Sequence, residues 1–393
     1  MPDRTRWGAV CVLLIAGVLV ALQIGKAAIA LPALQRDLML SLAVASWVVG
    51  AYGVLGAIAG LPAGIVSSLF TARSALLWGL VAAGLGSIGG AFATDGILLI
   101  ASRVVEGCGF LAATLAIPRL LRVVAAERDQ TLVLPLFGAY LPTGSLLMML
   151  GGPFVLEFGW QALWLLNGAL VLAWVLVVVR LDLPEPPAGH GALGGLWPNV
   201  REALGSPGPI LLALVFGTYT FQYMALAGLL PTLLVDRLGL SIAAAGTLSA
   251  VAVAANAIGN MSSGALLRLG VPSWVIAAFG FSFVGIAGFG IFSEAMPAVA
   301  VATLAAVSLA LTGLIPGTVY ASAPRFAPAS ALLAIALGLI NQATNLGNLL
   351  GPTVTAMVVE SFGWSRASLV FLCVGVTGVA WALMLRRVMR HRP

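Results

Sequence analysis

Gln23-Ile24-Gly25-Lys26-Ala27-Ala28-Ile29-Ala30-Leu31-Pro32 closes an apolar run that begins at about Trp7 and carries Lys26 as its only charge. The run exceeds the roughly 20 apolar residues a helix needs to cross a bilayer. Its Gln and Pro return as Gln222 and Pro231, both at an offset of 199 (222 − 23 and 231 − 32). One spanning helix with a partner in the other half of the chain points to a duplicated membrane protein. Arg4, Arg6 and Ala28-Ile29-Ala30 imitate a cleavable signal peptide, but the run is longer than the about 7–15 residues of such a segment. Its partner further along also makes it part of the fold.

Apolar residues make up 61% of the 393 residues and charged residues 8%, with a mean hydropathy of +1.09. Soluble domains carry roughly 25% charged residues, so lipid is the solvent for most of this chain. The expected class is an all-α membrane protein of twelve transmembrane helices in two pseudo-symmetric six-helix bundles. Helices are expected at 8–32, 42–66, 74–94, 97–121, 131–155, 161–180, 208–234, 242–266, 272–292, 297–321, 329–357 and 366–386. The longest connection, 181–207, is read as a cytoplasmic central loop between bundles 1–180 and 208–393. Within it, Trp197 to Leu204 could form a short helix lying on the membrane surface.

Further matches support the duplication. Leu40-Ser41 corresponds to Leu240-Ser241, Gly107 and Pro118-Arg119 to Gly313 and Pro324-Arg325, Gly152-Pro153 to Gly351-Pro352, and Phe158-Gly159-Trp160 to Phe362-Gly363-Trp364. Parallel halves with a site at their interface are a transporter architecture.

The net charge of +6 does not mark a nucleic-acid binder, because of where the charge lies. Fourteen arginines fall on one side of the expected helices, and three (Arg36, Arg237 and Arg366) on the other. This bias places both termini in the cytoplasm. Cys11, Cys108 and Cys373 lie far apart in apolar runs, which gives neither a disulfide framework nor a metal site. No cofactor is expected. His190 and His391 read as solvated surface residues. The heavy use of Arg over Lys and the Ala and Gly richness suggest a bacterial inner membrane protein, working as a monomer.

The six-plus-six pattern with its central loop resembles the major facilitator superfamily over the whole chain. That family's G-x-x-x-D-R-x-G-R-R loop is reduced here to Gly64-Ile65-Val66-Ser67-Ser68-Leu69-Phe70-Thr71-Ala72-Arg73, with Ser68 at the acidic position. Its R-x-x-x-G-x-G is present as Arg103-Val104-Val105-Glu106-Gly107-Cys108-Gly109. Pro142-Thr143-Gly144 through Gly151-Gly152-Pro153 resembles a motif of exporters. Gly25 to Pro32 together with Arg103 to Phe110 is most similar to the cyanate and nitroimidazole transporter-like branch.

Ionisable groups within a spanning helix are costly and so need a reason. Lys26, Arg103 and Glu106 are the deep ones. Glu106 follows Arg103 by three residues, and Lys26 follows Gln23 by three, so each pair shares a helix face. The resemblance implies that helices 1, 4, 7 and 10 line a central cavity, which would bring the four together. Two cations and one carboxylate suit an anion, with Arg103 as a bidentate partner and Lys26 as a point charge. Glu106 is the expected proton carrier. The second half offers neutral groups: Thr218, Tyr219, Gln222 and Tyr223, then Asn341, Gln342, Asn345 and Asn348, with Tyr320 nearby. The substrate-binding set is therefore Lys26, Arg103, Gln23, Tyr219, Gln222, Tyr223, Asn341 and Asn345. The bland alternative is an ion pair that fixes helix 1 against helix 4.

The leading expectation is a secondary transporter of a small organic or inorganic anion working by alternating access, either proton-coupled through Glu106 or an exchanger. The rival is a proton-coupled exporter of drugs or metabolites with an apolar cavity. A membrane-embedded enzyme lacks a nucleophile–base pair or deep metal ligands, and a receptor would be expected to bring a soluble signalling domain. Gly56, Gly60 and Gly64 read as a stripe for close helix packing. Trp160 and Trp364 read as interface anchors.

Overall fold

A computed structural model describes residues 4–66, 71–184, 201–202, 204–326 and 330–390. Ser68, His190, His391 and most of the expected surface helix lie outside these residues. We number the long helices in chain order and count a helix interrupted by one turn as one. They are α1 (Trp7–Asp37), α2 (Leu42–Gly50, a 3-10 turn Ala51–Gly53, then Val54–Val66), α3 (Ala72–Ala91) and α4 (Gly96–Val124). Next come α5 (Glu127–Gly138 and Tyr140–Leu156), α6 (Trp160–Arg180), α7 (Pro207–Asp236) and α8 (Ile242–Arg268). The last are α9 (Ser273–Ile291), α10 (Ala298–Thr312 and Leu314–Phe326), α11 (Ser330–Phe362) and α12 (a 3-10 turn Trp364–Arg366, then Ala367–Arg390).

Among the described residues, 11 spans are long and apolar enough to cross a membrane. The long helix outside that set is α11, which carries Asn341, Gln342, Asn345 and Asn348 along its middle. The chain is thus an all-helical membrane protein.

Local chemistry explains the boundaries. Ser41, Thr71, Asp95 and Ser241 cap α2, α3, α4 and α8, each accepting a bond from a backbone N–H three residues on. The turn ahead of both capping serines is left-handed, at Met39 (φ 52°) and at Gly239 (φ 64°). The breaks in α5 and α10 each fall three residues before a proline. Pro142 cannot donate to Gly138, nor Pro316 to Thr312, so the ladder opens at Ala139 and Gly313. α1 was expected to end at Pro32 but runs on to Asp37. A proline removes one ladder bond there, and burial of Leu31 and Leu34 holds the continuing turns in place.

With α1–α6 called the first group and α7–α12 the second by chain order alone, α1 packs on α5, and α3 on α4 and α6; α7 packs on α11, and α9 on α10 and α12. Across the groups α2 meets α11, α5 meets α8, and α1 meets α7. Gly56 and Gly60 serve this seam as expected: the side chain of Asn345 lies against Gly56, and Gln342 lies against Gly60. Gln342 Nε2 also donates to the Ala57 carbonyl at 3.0 Å. The side chains around Gly64 lie outside the description. At the end that carries Ser41 and Ser241, the Ala43 N–H donates to Glu360 Oε2 at 2.8 Å. Trp160 departs from its expected role. It is 1% exposed and sets its ring edge-on to Trp164 at 5.6 Å, so it is core and not an interface anchor.

Candidate functional site: a closed charge cluster beside two aromatic rows

Lys26 on α1 and Arg103 and Glu106 on α4 meet inside the first helix group, and all three are 0% exposed. Glu106 takes one cation on each oxygen. Lys26 Nζ lies 3.0 Å from Oε1, and Arg103 Nη1 is paired with Oε2. The remaining protons of the ammonium are also placed. Nζ donates to Ser87 Oγ at 2.6 Å and stands 4.5 Å from the centre of the Trp164 ring. Ser87 passes the chain on, donating to the Trp164 carbonyl at 2.7 Å. An ammonium has three donors, and here each has a partner.

Arg103 is held almost as fully. Its Nε donates to the Val48 carbonyl at 2.9 Å, and its guanidinium carbon lies 5.9 Å from the Tyr52 ring. That stacking depends on Gly107, where a Cβ would collide with the Tyr52 backbone. Nη2 is buried without a partner among the described residues. Gln23 points into the same helix group and donates weakly to the Ala83 carbonyl at 3.4 Å.

The structure therefore joins Lys26, Arg103 and Glu106 in a closed network, with Gln23 bonded instead to the Ala83 carbonyl on α3. The expected anion site counted two cations against one carboxylate, with Glu106 free to hold either cation while the site is empty. Here the one carboxylate occupies both, because it lies between the two helices that carry them. α1 also runs beyond its expected end, so Lys26 sits eleven residues (37 − 26) from it. That is about 16 Å at the helical rise, deeper than the sequence suggested.

The neutral residues of the second group assemble elsewhere. Tyr219 and Tyr223 of α7 stack at 5.9 Å. Phe216 meets the edge of Tyr219 at 5.6 Å and of Tyr320 on α10 at 5.2 Å. Tyr219 donates to Asn256 Oδ1 at 3.1 Å, and Asn256 Nδ2 donates to the Leu309 carbonyl at 2.8 Å. Gln222 is 0% exposed, with both polar side-chain atoms unpartnered among the described residues. Asn345 donates to the Asn341 carbonyl at 2.9 Å and fills the notch at Gly56, so it joins α11 to α2.

The first group carries a matching row that the sequence reading missed. Tyr52 sets its ring edge-on to Phe110 at 5.6 Å, Phe110 lies 6.2 Å from Tyr140, and Tyr140 stacks on Phe137 at 4.6 Å. Tyr223 lines a gap that Ile24, Gly25, Leu141 and Ser145 of the first group also line. All five tyrosines of the chain thus belong to the two rows. The missed signal was this distribution: a rare side chain confined to α2, α5, α7 and α10. The rows begin beside Arg103 and run to Tyr320, whose side chain is half-exposed.

Comparison with known proteins identifies the family. Residues 13–333 match the family model of the Major Facilitator Superfamily. The chain is 32% identical over 175 residues to an arabinose-proton symporter of Escherichia coli (strain K12), covering 44% of this chain and 36% of that protein. It is 30% identical over 208 residues to the puromycin resistance protein pur8 of Streptomyces alboniger, covering 49% and 41%. The chain thus spans about two fifths of the length of these curated relatives. Among solved structures, a bacterial homolog of the human lysosomal transporter Spinster, inward-facing and unoccupied, superposes with a TM-score of 0.84 at 15% identity over 98% of both chains. A D-xylose-proton symporter does so with 0.74 at 16% identity over 96% of both.

Proposed function

Because the chain belongs to the Major Facilitator Superfamily, we propose that it is a secondary transporter in which residues 1–180 and 208–393 rock about the aromatic rows. α11 serves as the twelfth span, and the arginine bias sets both termini in the cytoplasm of a bacterial inner membrane. The paired packing of α1–α5 with α7–α11, and of α3–α6 with α9–α12, supports two related halves. The solute is small and uncharged, with an apolar or ring face and few polar groups.

One observation carries this reading. The five tyrosines line the meeting of the halves, while the buried cations are spent on Glu106. Aromatic faces reward flat apolar surface, and Asn256 and Gln222 add hydrogen-bonding capacity. This is closer to the exporter of drugs or metabolites than to the anion carrier. Glu106 is the proton site, and its cluster couples through Tyr52. The anion reading keeps one observation in its favour, the unpartnered Nη2 of Arg103.

A ligand that binds the folded state raises its melting temperature. Uncharged ring-bearing amphiphiles are expected to do so. Tyr52→Ala and Tyr320→Ala should remove the shift, and the corresponding changes to Phe should keep it. Stabilisation by small anions alone, lost in Arg103→Ala, would replace this reading with the anion carrier.

A further inference from the structure

A crevice of about 870 Å³ lies on the outer flank of the second helix group, away from the aromatic rows. Its floor is α7 and its walls are α11 and α12. The α11 wall is an apolar stripe, Leu346, Leu350 and Val354, spaced by one helical turn, with Phe221 below and Cys373 opposite. Along α11 the lining runs from Ala343 to Phe362. That is about 28 Å of helix, more than the roughly 15 Å reached by the chains of one leaflet. The polar groups along it do not invite a polar occupant, since the Thr218 hydroxyl already donates to the Leu214 carbonyl at 2.8 Å. The one charge of the lining, Arg366, sits at the mouth, exposed and with no side-chain partner among the described residues.

We propose that this crevice is a binding site for an anionic phospholipid, with acyl chains along α7 and α11 and the phosphate on Arg366. A lining at bilayer depth admits only lipophilic matter. Arg366 lies at the non-cytoplasmic end, where outer-leaflet head groups lie, and a guanidinium there favours a lipid of net negative charge over a zwitterion through a charge-assisted pair with the phosphate. Beyond the Trp364–Arg366 turn α11 and α12 stand apart, so a lipid seated there would fill the space between them. The site stands apart from the transport pathway.

Native mass spectrometry of the full chain in detergent, titrated with dioleoylphosphatidylglycerol or dioleoylphosphatidylcholine, tests this. The first bound phosphatidylglycerol should hold about fivefold more tightly than phosphatidylcholine, the size expected of one basic residue at a membrane surface. Arg366→Ala should erase that difference. Leu350→Trp and Cys373→Phe, which add bulk from opposite walls, should each remove both lipids while leaving the melting temperature measured without added lipid unchanged. Equal retention of the two lipids by the unaltered chain overturns the proposal. So does unchanged phosphatidylglycerol retention in whichever bulky variant remains folded.

Discussion

Glu106 holds two cations with one carboxylate, and both of its oxygens are used. Removing the shared partner of a buried pair leaves uncompensated charge, at a cost on the order of 3–5 kcal/mol. Glu106→Gln is therefore expected to lower the melting temperature sharply, and Lys26→Met in the same molecule should restore part of it by removing one orphan. Melting curves of the two single variants and the double variant check this; additive losses would mean the charges do not act as a unit. A gentler contrast sits in the aromatic row. Tyr219→Phe removes the hydroxyl that Asn256 accepts and should cost about 1 kcal/mol. Tyr320→Phe keeps the ring contact with Phe216 and should leave stability unchanged. Lys26, Arg103 and Glu106 were readable in the sequence because a charge within an apolar run has no cheap explanation. Ser87, Trp164, Tyr52 and Tyr140 were not, since a hydroxyl or an aromatic ring in such a run passes for ordinary packing. Only the fold shows that Ser87 and Trp164 complete the shell of Lys26.

The elements follow the sequence where apolar length decides and depart from it where proline or packing decides. The start of α2 after Leu40-Ser41 was visible from its match with Leu240-Ser241, and both serines prove to be caps. The breaks at Ala139 and Gly313 were not visible, because Pro142 and Pro316 lie within runs apolar enough to read as continuous. The turn before each cap gives an internal comparison. Met39 and Gly239 occupy the same left-handed turn, at φ 52° and 64°. A side chain there costs roughly 1–2 kcal/mol, which glycine avoids. Met39 is 88% exposed, so replacing it sacrifices no core contact. Met39→Gly should stabilise the protein by about 1 kcal/mol, net of the greater freedom of glycine in the unfolded chain. Gly239→Ala should destabilise it by a similar amount. Thermal melts of the two variants read both signs, and a loss of stability in Met39→Gly would show that the Met39 side chain has a packing role of its own.

At the scale of the molecule, the two helix groups are closed against each other at the end that carries Ser41 and Ser241. There Val49 packs on Gly228, and the α8 backbone at Gly246 meets the Met149 carbonyl. The tie at the rim is electrostatic. Glu360, near the end of α11, accepts the Ala43 N–H in the first turn of α2. A carboxylate at a helix N-terminus satisfies an orphan donor and meets the positive end of the dipole, worth about 1 kcal/mol at a surface. The tie spans the two groups, so its energy exists only in the closed arrangement. Losing it shifts the equilibrium without harming either group, because a contact with one state moves populations by its differential free energy. Glu360→Ala should therefore raise the open fraction at this end about fivefold, the factor that 1 kcal/mol represents. The readout is a cysteine at Val49 in a chain lacking the native thiols, labelled by a hydrophilic maleimide from the Ser41 side. Faster labelling in Glu360→Ala, reversed by Glu360→Asp if the shorter carboxylate still reaches Ala43, marks Glu360 as the latch. An unchanged rate would assign closure to the apolar contacts of α2 with α11 and of α5 with α8.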